Sequence, residues 1–491
     1  MSKIKNYTIK NVFICESDNN LKLVDITFSK SFGKIQPVIE SSIKWSEIST
    51  PSKLKKFIKK NEEFFYDKED KSSIDGNFRL LIPGGIDPHV HFDTPGFEFR
   101  EDFEHASTAA VWGGTTTIID MPCTSLPPVT SVSNMRVKCK SVKDKSVVDY
   151  AFWGGVRGND FDSETDIGKQ IASLAKNGVA GFKAYLVSGM DTFTDINSVQ
   201  MLETAKHIKA VNGILAVHAE DKNVIESNSK KAGKSKQDDW KYYCSSRNVE
   251  AEVQAIKLMV EIAKKTKCKI HIVHLSSAEG LEMIRKAKLE GVTITAETCS
   301  HYLYFTQQDF NNAKIAAYLK TAPPVKQRKD MLALWKGLKD GTLSFVTTDH
   351  AGCDPKKEKK SKDFRKVYGG IPGVEHRVPF LFSEGFLKGR ISLETTINLL
   401  ASNTAAFFKL DKKGVIKNGY DADFSIINLW DSQIVKSKNM HSKGKYTPFE
   451  NVVFNALVEK TFLRGELIMD RVKNYINAPG SGRFIKVNYG K

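Results

Sequence analysis

Long apolar segments are absent from the 491-residue sequence, which contains no uninterrupted apolar run of about 18 residues, the length that suggests a membrane span. The first residues, MSKIKNYTIKNVFI, lack the basic start, apolar stretch and small-residue cleavage site of a signal peptide. The seven cysteines include no CxxC pair and are odd in number, so neither a disulfide framework nor a structural zinc finger is expected. These absences predict a cytoplasmic protein without a membrane partner.

Acidic residues are too few to balance the basic ones. The chain has 74 Lys and Arg against 57 Asp and Glu, which gives a formal net charge of +17. A basic balance occurs in nucleic-acid-binding proteins, but no nucleic-acid motif accompanies lysine runs such as DPKKEKKSKDFRK. Because such runs are usually solvated surface, we expect no nucleic-acid partner.

Short apolar runs alternate with amphipathic, helix-like stretches from residue 79 onward. Strand alternating with helix predicts parallel strands joined by crossovers, and eight units over roughly 270 residues fit a (β/α)₈ TIM-like barrel of about 250 residues. The sequence is therefore predicted to be of the α/β class. The eight runs are RLLIPGGIDPHVH, TTTIIDMP, VVDYAFWGG, VAGFKAYL, GILAVHAE, KIHIVHLSS, VTITAETCSHYL and LSFVTTDHAG.

The two ends of the chain show a different pattern of short strands without intervening helices, as in YTIKNVFI near the start and KTFLRGELIMD near the end. This pattern predicts a small β-sandwich domain formed jointly by residues 1–78 and 413–491, with a polar insertion at about 36–78. Residues 79–412 would then form the barrel domain, with function at the carboxyl ends of its strands.

Ionisable side chains follow the ends of several predicted barrel strands. His89 and His91 are two residues apart, so they project to the same face of a strand and can bind one metal ion together. His271 and His274 are three apart, so only one can point into the barrel mouth, and we assign His274. The candidate ligands are His89, His91, Lys183, His218, His274 and Asp349.

Each of these residues also has a purely structural interpretation. A single histidine after an apolar run is more often a hydrogen-bonded core residue. Lys183 could be a paired or snorkelling lysine, and Asp349 could cap a helix. Their joint placement at strand ends of one barrel is far more specific than any one of them and favours a metal site.

Several motifs resemble those of the amidohydrolase superfamily, specifically its cyclic amidohydrolases: allantoinases, hydantoinases or dihydropyrimidinases, and dihydroorotases. The resemblance runs from about residue 79 to 430, and some relatives of this group are non-catalytic scaffolds that have lost metal ligands. All six candidate ligands are present here, which favours an enzyme. The motifs are PGGIDPHVH, AAVWGGTTTIIDMP, GFKAYL, VHAED, HIVHLS, ETCSHYL and TTDHAG.

The resemblance implies a binuclear metal centre, most often of zinc, with manganese as an alternative. His89 and His91 would bind the first ion, and His218 and His274 the second. Lys183 would be carboxylated by CO2 to N6-carboxylysine, and its carbamate would bridge both ions. Asp349 would ligate the first ion and act as general base. Family analogy also implies a homo-oligomer, either a dimer or a tetramer.

The substrate is less well specified than the reaction. Asp93 occupies the place where similar dihydroorotases carry a carboxylate-binding arginine, and its charge would oppose that substrate. Cys123 and Cys353 lie in segments that resemble allantoinases, whereas Ser188 replaces a hydantoinase tyrosine. We therefore expect allantoinase-like hydrolysis of a cyclic amide in a ureide or hydantoin ring, then dihydropyrimidinase or hydantoinase activity, then dihydroorotase. The family pattern places substrate contacts at Ala322, Gly370 and Ser188.

Overall fold

The structure is a computed structural model that describes residues 6–65, 73–231 and 239–489. Residues 66–72 of the predicted polar insertion lie outside the described residues. Within the described ranges, no helix has both the length and the apolar character needed to cross a membrane.

Twenty-two strands are found in the described ranges. They are β1 (Tyr7–Ser17), β2 (Asn20–Phe28), β3 (Phe32–Pro37), β4 (Ile43–Lys44), β5 (Ser73–Asp75), β6 (Leu80–Pro83), β7 (Gly85–His91), β8 (Thr115–Asp120), β9 (Asp149–Phe152), β10 (Gly154–Gly155), β11 (Phe182–Tyr185), β12 (Ile214–His218), β13 (Lys269–Ile272), β14 (Ile294–Cys299), β15 (Phe345–Thr347), β16 (His350–Ala351), β17 (Phe424–Asn428), β18 (Gln433–Ile434), β19 (Val453–Phe454), β20 (Leu457–Leu463), β21 (Glu466–Asp470) and β22 (Tyr475–Ile476).

Sixteen α-helices lie mainly between the strands of the central region. Those of the same described ranges are α1 (Trp45–Ile48), α2 (Pro51–Lys60), α3 (Phe103–Trp112), α4 (Val132–Val142), α5 (Gly158–Phe161), α6 (Ile167–Asn177), α7 (Ser198–Ala210), α8 (Lys222–Lys231), α9 (Trp240–Ser246), α10 (Val249–Thr266), α11 (Ala278–Leu289), α12 (Arg328–Lys339), α13 (Pro355–Glu358), α14 (Arg377–Phe380), α15 (Leu393–Ile397) and α16 (Asn403–Phe407).

The central strands form two parallel sheets, ordered β10-β11-β12-β13-β14-β15 and β16-β7-β8-β9. Chain continuity links them twice, since only Trp153 separates β9 from β10, and only Thr348 and Asp349 separate β15 from β16. The predicted α/β class with parallel strands is confirmed. Parallel pairing puts the carboxyl ends of neighbouring strands at one edge, as the pairing of Tyr185 with His218 shows.

Amphipathic helices cover these sheets, and α10 illustrates why they form. The Asn248 side chain accepts a hydrogen bond from the backbone N–H of Ala251 and so caps the first turn. Residues such as Ile256 and Met259 recur at helical spacing and are fully buried. Burial of that face fixes the helix on the sheet and, with it, the position of the next strand.

Strands from both ends of the chain share a third sheet of ten strands, in which β6 pairs with β17 in antiparallel register. Its buried aromatic side chains include Phe424 and Phe462, whose rings stack with centroids 4.4 Å apart, and Phe28 meets both rings edge-on. The N- and C-terminal segments are therefore joined in one sheet. The sandwich arrangement and the domain boundaries at 78 and 413 stay predictions.

Candidate metal centre

His89, His91 and Asp349 meet where β7 ends and where the chain passes from β15 to β16. Their ligand atoms all lie within 4.8 Å of one another. His89 Nε2 is 3.0 Å and His91 Nε2 is 3.1 Å from Asp349 Oδ1. Burial opposes the charge of Asp349, but the two histidines hold its pKa well below the usual range. The three side chains thus offer two imidazole nitrogens and an ionised carboxylate to one cation.

His218 and His274 form a second pair beside this group. His218 Nδ1 lies 3.0 Å from His274 Nε2, and the His274 ring centroid is 5.5 Å from that of His89. Burial lowers the pKa of His218 and lowers that of His274 well below its ordinary value. Neutral imidazole is the form that binds a metal, so the pair is ready to hold a cation.

Lys183 is the fully buried lysine of β11. Its Nζ lies 4.1 Å from the centre of the Tyr185 ring and, among the described residues, has no hydrogen-bond partner. Burial lowers the pKa of Lys183 to about 8, against the opposing influence of Cys123, Asp349 and Glu297. The neutral amine that this favours is the form able to react with CO2.

The donor set fits the metal pair that the sequence predicts. Besides Lys183 Nζ, the buried His274 Nδ1 also lacks a partner in the described part of the chain. Buried polar atoms are normally hydrogen-bonded, so unpartnered ones within a ligand cluster point to a missing group. Imidazole nitrogens and a carboxylate are donors that suit zinc and similar divalent ions.

Two glutamates behind the histidines fix the orientation of the rings. Glu297 contacts His89 Nδ1, and Glu220 Oε2 lies 2.8 Å from His218 Nε2. These contacts leave His89 Nε2 and His218 Nδ1 for a cation, as outer-shell carboxylates do in metal sites. Sequence reasoning missed both glutamates. Their signals were the i+2 spacing after His218 and the end of the apolar run VTITAE.

His271 does not belong to the ligand group. Its Nε2 lies 3.1 Å from Glu297 Oε2, and its ring stacks on Phe345 with centroids 5.2 Å apart. By contrast, His274 and Asp349 have φ angles of +38° and +48°, in the left-handed region that residues other than glycine rarely adopt. Strained backbone of this kind clusters at functional sites, where it re-aims side chains.

Comparison with known proteins agrees with this geometry, since the amidohydrolase family matches residues 80–468. The chain belongs to the amidohydrolase family. It is 35% identical over 391 residues to an allantoinase of Streptomyces avermitilis, covering 79% of this chain and 84% of that protein. An allantoinase of Bacillus licheniformis is 34% identical, with the match covering 84% of this chain and 90% of that protein.

The fold of this amidohydrolase is similar to solved structures of hydantoinases and dihydropyrimidinases. An L-hydantoinase (dihydropyrimidinase) from Arthrobacter aurescens superimposes with a TM-score of 0.85 at 27% identity, covering 98% of this chain and 99% of that one. A dihydropyrimidinase from Brevibacillus agri NCHU1002 superimposes with a TM-score of 0.85 at 25% identity, covering 99% of both chains. The predicted membership of the cyclic amidohydrolase group is confirmed.

A cavity of about 450 Å³ opens above the candidate metal ligands of the amidohydrolase. Two predicted substrate contacts, Ser188 and Ala322, line it, although Ser188 Oγ already donates a 2.7 Å hydrogen bond to the Phe193 carbonyl. Gly370 lies behind the wall, because its N–H donates to the Lys320 carbonyl and its own carbonyl accepts from Tyr446. The neighbouring Gly369 lines the cavity instead.

Positions used to separate the related activities differ in their access to this cavity. Cys123 lines it, with Sγ 3.1 Å from the Tyr185 hydroxyl and 3.7 Å from His91 Nδ1. Asp93 and Cys353 are buried and do not line the cavity. Cys123 can therefore meet a substrate directly, whereas Asp93 can act on a substrate only through its neighbours.

The lysine-rich segment after Asp354 forms part of the cavity wall. Lys320 Nζ donates hydrogen bonds of 2.6 and 2.7 Å to the Phe364 and Val367 carbonyls. Lys359 Nζ donates one of 2.7 Å to the carbonyl of Tyr368, which lines the cavity. Both lysines are buried; Lys320 itself lines the cavity, whereas Lys359 holds the wall from behind.

Proposed function

We propose that this chain hydrolyses a C–N bond in a small cyclic amide, with an allantoin-like ureide ring as the first candidate substrate. The observation that carries the proposal is the convergence of His89, His91 and Asp349 beneath a cavity, with the His218–His274 pair alongside. Relatives named allantoinases at 35% and 34% identity support the substrate class.

We infer that the two parallel sheets close into a (β/α)₈ barrel. Each edge strand of one sheet runs on, after one or two residues, into an edge strand of the other. Closure would bring the ends of all eight strand units to one mouth. Residues 79–412, apart from β6, which pairs with β17 in the terminal sheet, would form this barrel domain, and residues 1–78 and 413–491 would form a β domain beside it.

The metal centre is proposed to hold two divalent cations, with zinc as the first candidate and manganese as the second. His89, His91 and Asp349 would hold one ion, and His218 and His274 the other. A CO2-derived carbamate on Lys183 would bridge them, because a lysine ammonium cannot bind a cation but a carbamate is an anion with two oxygens. When bound, such a pair supplies a nucleophilic water at neutral pH and polarises a carbonyl.

Asp349 is assigned the proton transfers. Its carboxylate is ionised and lies at the meeting point of the two histidines. It would accept the proton of the attacking water and return it to the amide nitrogen as the ring C–N bond breaks. His89 and His91 keep that carboxylate in position, and no covalent enzyme intermediate is required.

The substrate would be oriented by the cavity wall. The proposed contacts are Ser188, the backbone at Ala322 and Gly369, which lines the cavity in place of the predicted Gly370. The dihydropyrimidinase or hydantoinase reaction is the second candidate, favoured by the superposition on enzymes of those names, and dihydroorotase activity is the third. A cytoplasmic location and a homo-oligomeric state stay predictions.

A panel of allantoin, hydantoin, dihydrouracil and dihydroorotate separates these candidates when each is incubated with zinc- or manganese-loaded enzyme. We expect ring opening of allantoin with the highest kcat/KM. Preference for dihydrouracil or hydantoin would replace the first candidate by the second. Metal-loaded, folded protein that opens none of the four rings would contradict the proposed activity.

A further inference from the structure

A second cavity, of about 410 Å³, lies where the end of α3 meets residues 433–441 and 471–474. It shares no lining residue with the catalytic cavity in the described part of the chain. We name it the remote cavity. The lining residues that bear on its chemistry are Trp112, Glu375, His376, Asn439, His441 and Arg471.

Arg471 brings a positive charge to the remote cavity. Its Nε donates a 2.6 Å hydrogen bond to the Val458 carbonyl, and no carboxylate pairs with its guanidinium within the described ranges. The nearby Glu459 is engaged instead by Arg79, at 3.1 Å, and by Asn428. A half-buried guanidinium without a carboxylate partner is a ready site for an anion.

The one acidic group of this wall is already occupied. Glu375 accepts hydrogen bonds from the backbone N–H of His441, at 2.8 Å, and from His441 Nδ1, at 3.1 Å. Lys436, which also lines the cavity, contacts the neutral Asn451 side chain. Glu375 keeps its charge, which acts on Arg471, so Lys436 and Arg471 against Glu375 leave one net positive charge among the lining residues.

His376 adds a buried polar atom that lacks a partner. The residue is 6% exposed, and its Nδ1 makes no hydrogen bond to any described residue. Because buried polar groups are normally satisfied, this atom is available to a polar group bound next to His376. Beside it, the indole of Trp112 lies 4.3 Å from the His441 ring centroid and 4.8 Å from Arg471 Cζ.

We propose that the remote cavity binds a small organic carboxylate that also carries a planar amide or ureido group. Arg471 would pair with the carboxylate, and the Asn439 side chain and His376 Nδ1 would hydrogen-bond the amide part beside Trp112. The site is separate from the metal centre and does not rest on the proposed function.

N-carbamoylglycine is a suitable probe, because it joins a carboxylate to a ureido group, and N-carbamoylglycinamide is its uncharged open-chain counterpart. Calorimetric titration of the full chain should reveal a class of sites for N-carbamoylglycine that N-carbamoylglycinamide does not fill. Arg471→Gln should weaken this class by roughly tenfold or more, the cost of a charge-assisted hydrogen bond. Lys473→Gln, which removes an exposed charge nearby, should leave it unchanged.

Asn439→Trp provides a second variant that fills the cavity without removing a charge, and its unfolding midpoint reports whether the chain still folds. The class of sites lost in both Arg471→Gln and Asn439→Trp is the remote cavity, even if the acid also enters the catalytic cavity. Absence of binding to the wild type, or identical titrations of the wild type and both variants, would overturn the proposal. Failure of the ring-opening panel would leave this result unaffected.

Discussion

At the residue scale, Asp349 is the group on which both histidines of β7 converge. Asp349→Asn preserves the shape of the side chain but removes its charge and basicity. We expect the variant to fold and its kcat to fall by about 10²–10⁴, the usual contribution of general acid–base catalysis. Steady-state hydrolysis of the best substrate checks this, with the exposed Asp162→Asn as the matched control. A wild-type rate in Asp349→Asn would show that the base is another group.

Lys183 is expected to act only after it becomes an anion. Lys183→Ala should abolish most activity, because its small side chain leaves nothing to bridge the two cations. Added acetate or propionate should restore part of the rate, since a short carboxylate fits the space that the lysine vacates. Lys176→Ala on α6 is the control, and its rate should not respond to acetate. Full activity of Lys183→Ala without added acid would refute the bridging role.

Glu297 is expected to tune the metal site without touching the ion. Glu297→Gln removes the charge that holds His89 Nδ1 and His271, so metal affinity should fall about 10–100-fold, as for other outer-shell partners. Competition with a chelator measures the affinity, and the exposed Glu290→Gln serves as the control. Equal affinity in both variants would remove Glu297 from the site.

The sequence predicted some of these residues better than others, for reasons of local geometry. The i, i+2 rule is sufficient to place His89 and His91 together on one strand. It says nothing about His274 or Asp349, whose direction depends on left-handed backbone after the strand. Glu220 and Glu297 gain their roles only through contacts, which a single sequence does not display.

At the element scale, the wall after Asp354 shows how far composition can mislead. A run of lysines normally indicates a solvated face, yet Lys359 is buried and donates to two backbone carbonyls of the wall. No pattern in DPKKEKKSKDFRK distinguishes this lysine from its exposed neighbours. The alternation of apolar runs and helices, by contrast, depends on many residues at once and predicted the parallel strands.

The buried Lys359 makes the stability of the chain depend on pH. Burial lowers its pKa from 10.5 to about 7. Between these two pH values, Lys359 is protonated in the unfolded chain but not in the folded one. The free energy of unfolding should therefore increase with pH, by about 1.4 kcal/mol per pH unit at most. Lys359→Met should lose this increment.

Denaturant unfolding at two pH values within that window measures the difference between the wild type and Lys359→Met. The exposed Lys360→Met is the control and should follow the wild type. If the wild type and Lys359→Met changed by the same amount between the two pH values, the lysine would not be buried uncharged.

At the scale of the whole molecule, a charged cluster joins the parallel sheets to the terminal sheet. Lys413 Nζ lies 2.7 Å from Asp149 on β9, and it also pairs with Asp421 and Asp423 next to β17. The return of short strands at the chain ends predicted a shared domain. The cluster could not be foreseen, because Lys413 and Asp149 are 264 residues apart.

Lys413→Met should therefore weaken the molecule as a whole. Its loss leaves the buried Asp423 without an ion-pair partner among the described residues, although Asp149 keeps Arg464, and breaking such a buried pair costs about 3–5 kcal/mol. Urea unfolding measures this, and the exposed neighbour Lys412→Met should change the free energy of unfolding by less than about 0.5 kcal/mol. Equal effects of the two substitutions would show that the cluster does not stabilise the junction.

The central claim is that four histidines, Lys183 and Asp349 together hold a pair of divalent cations. Elemental analysis of the purified, active chain tests this most directly, by counting bound metal per polypeptide after removal of loosely held ions. The account predicts two divalent ions per chain in the wild type and fewer in Lys183→Ala. An active wild-type chain without tightly bound metal would contradict it.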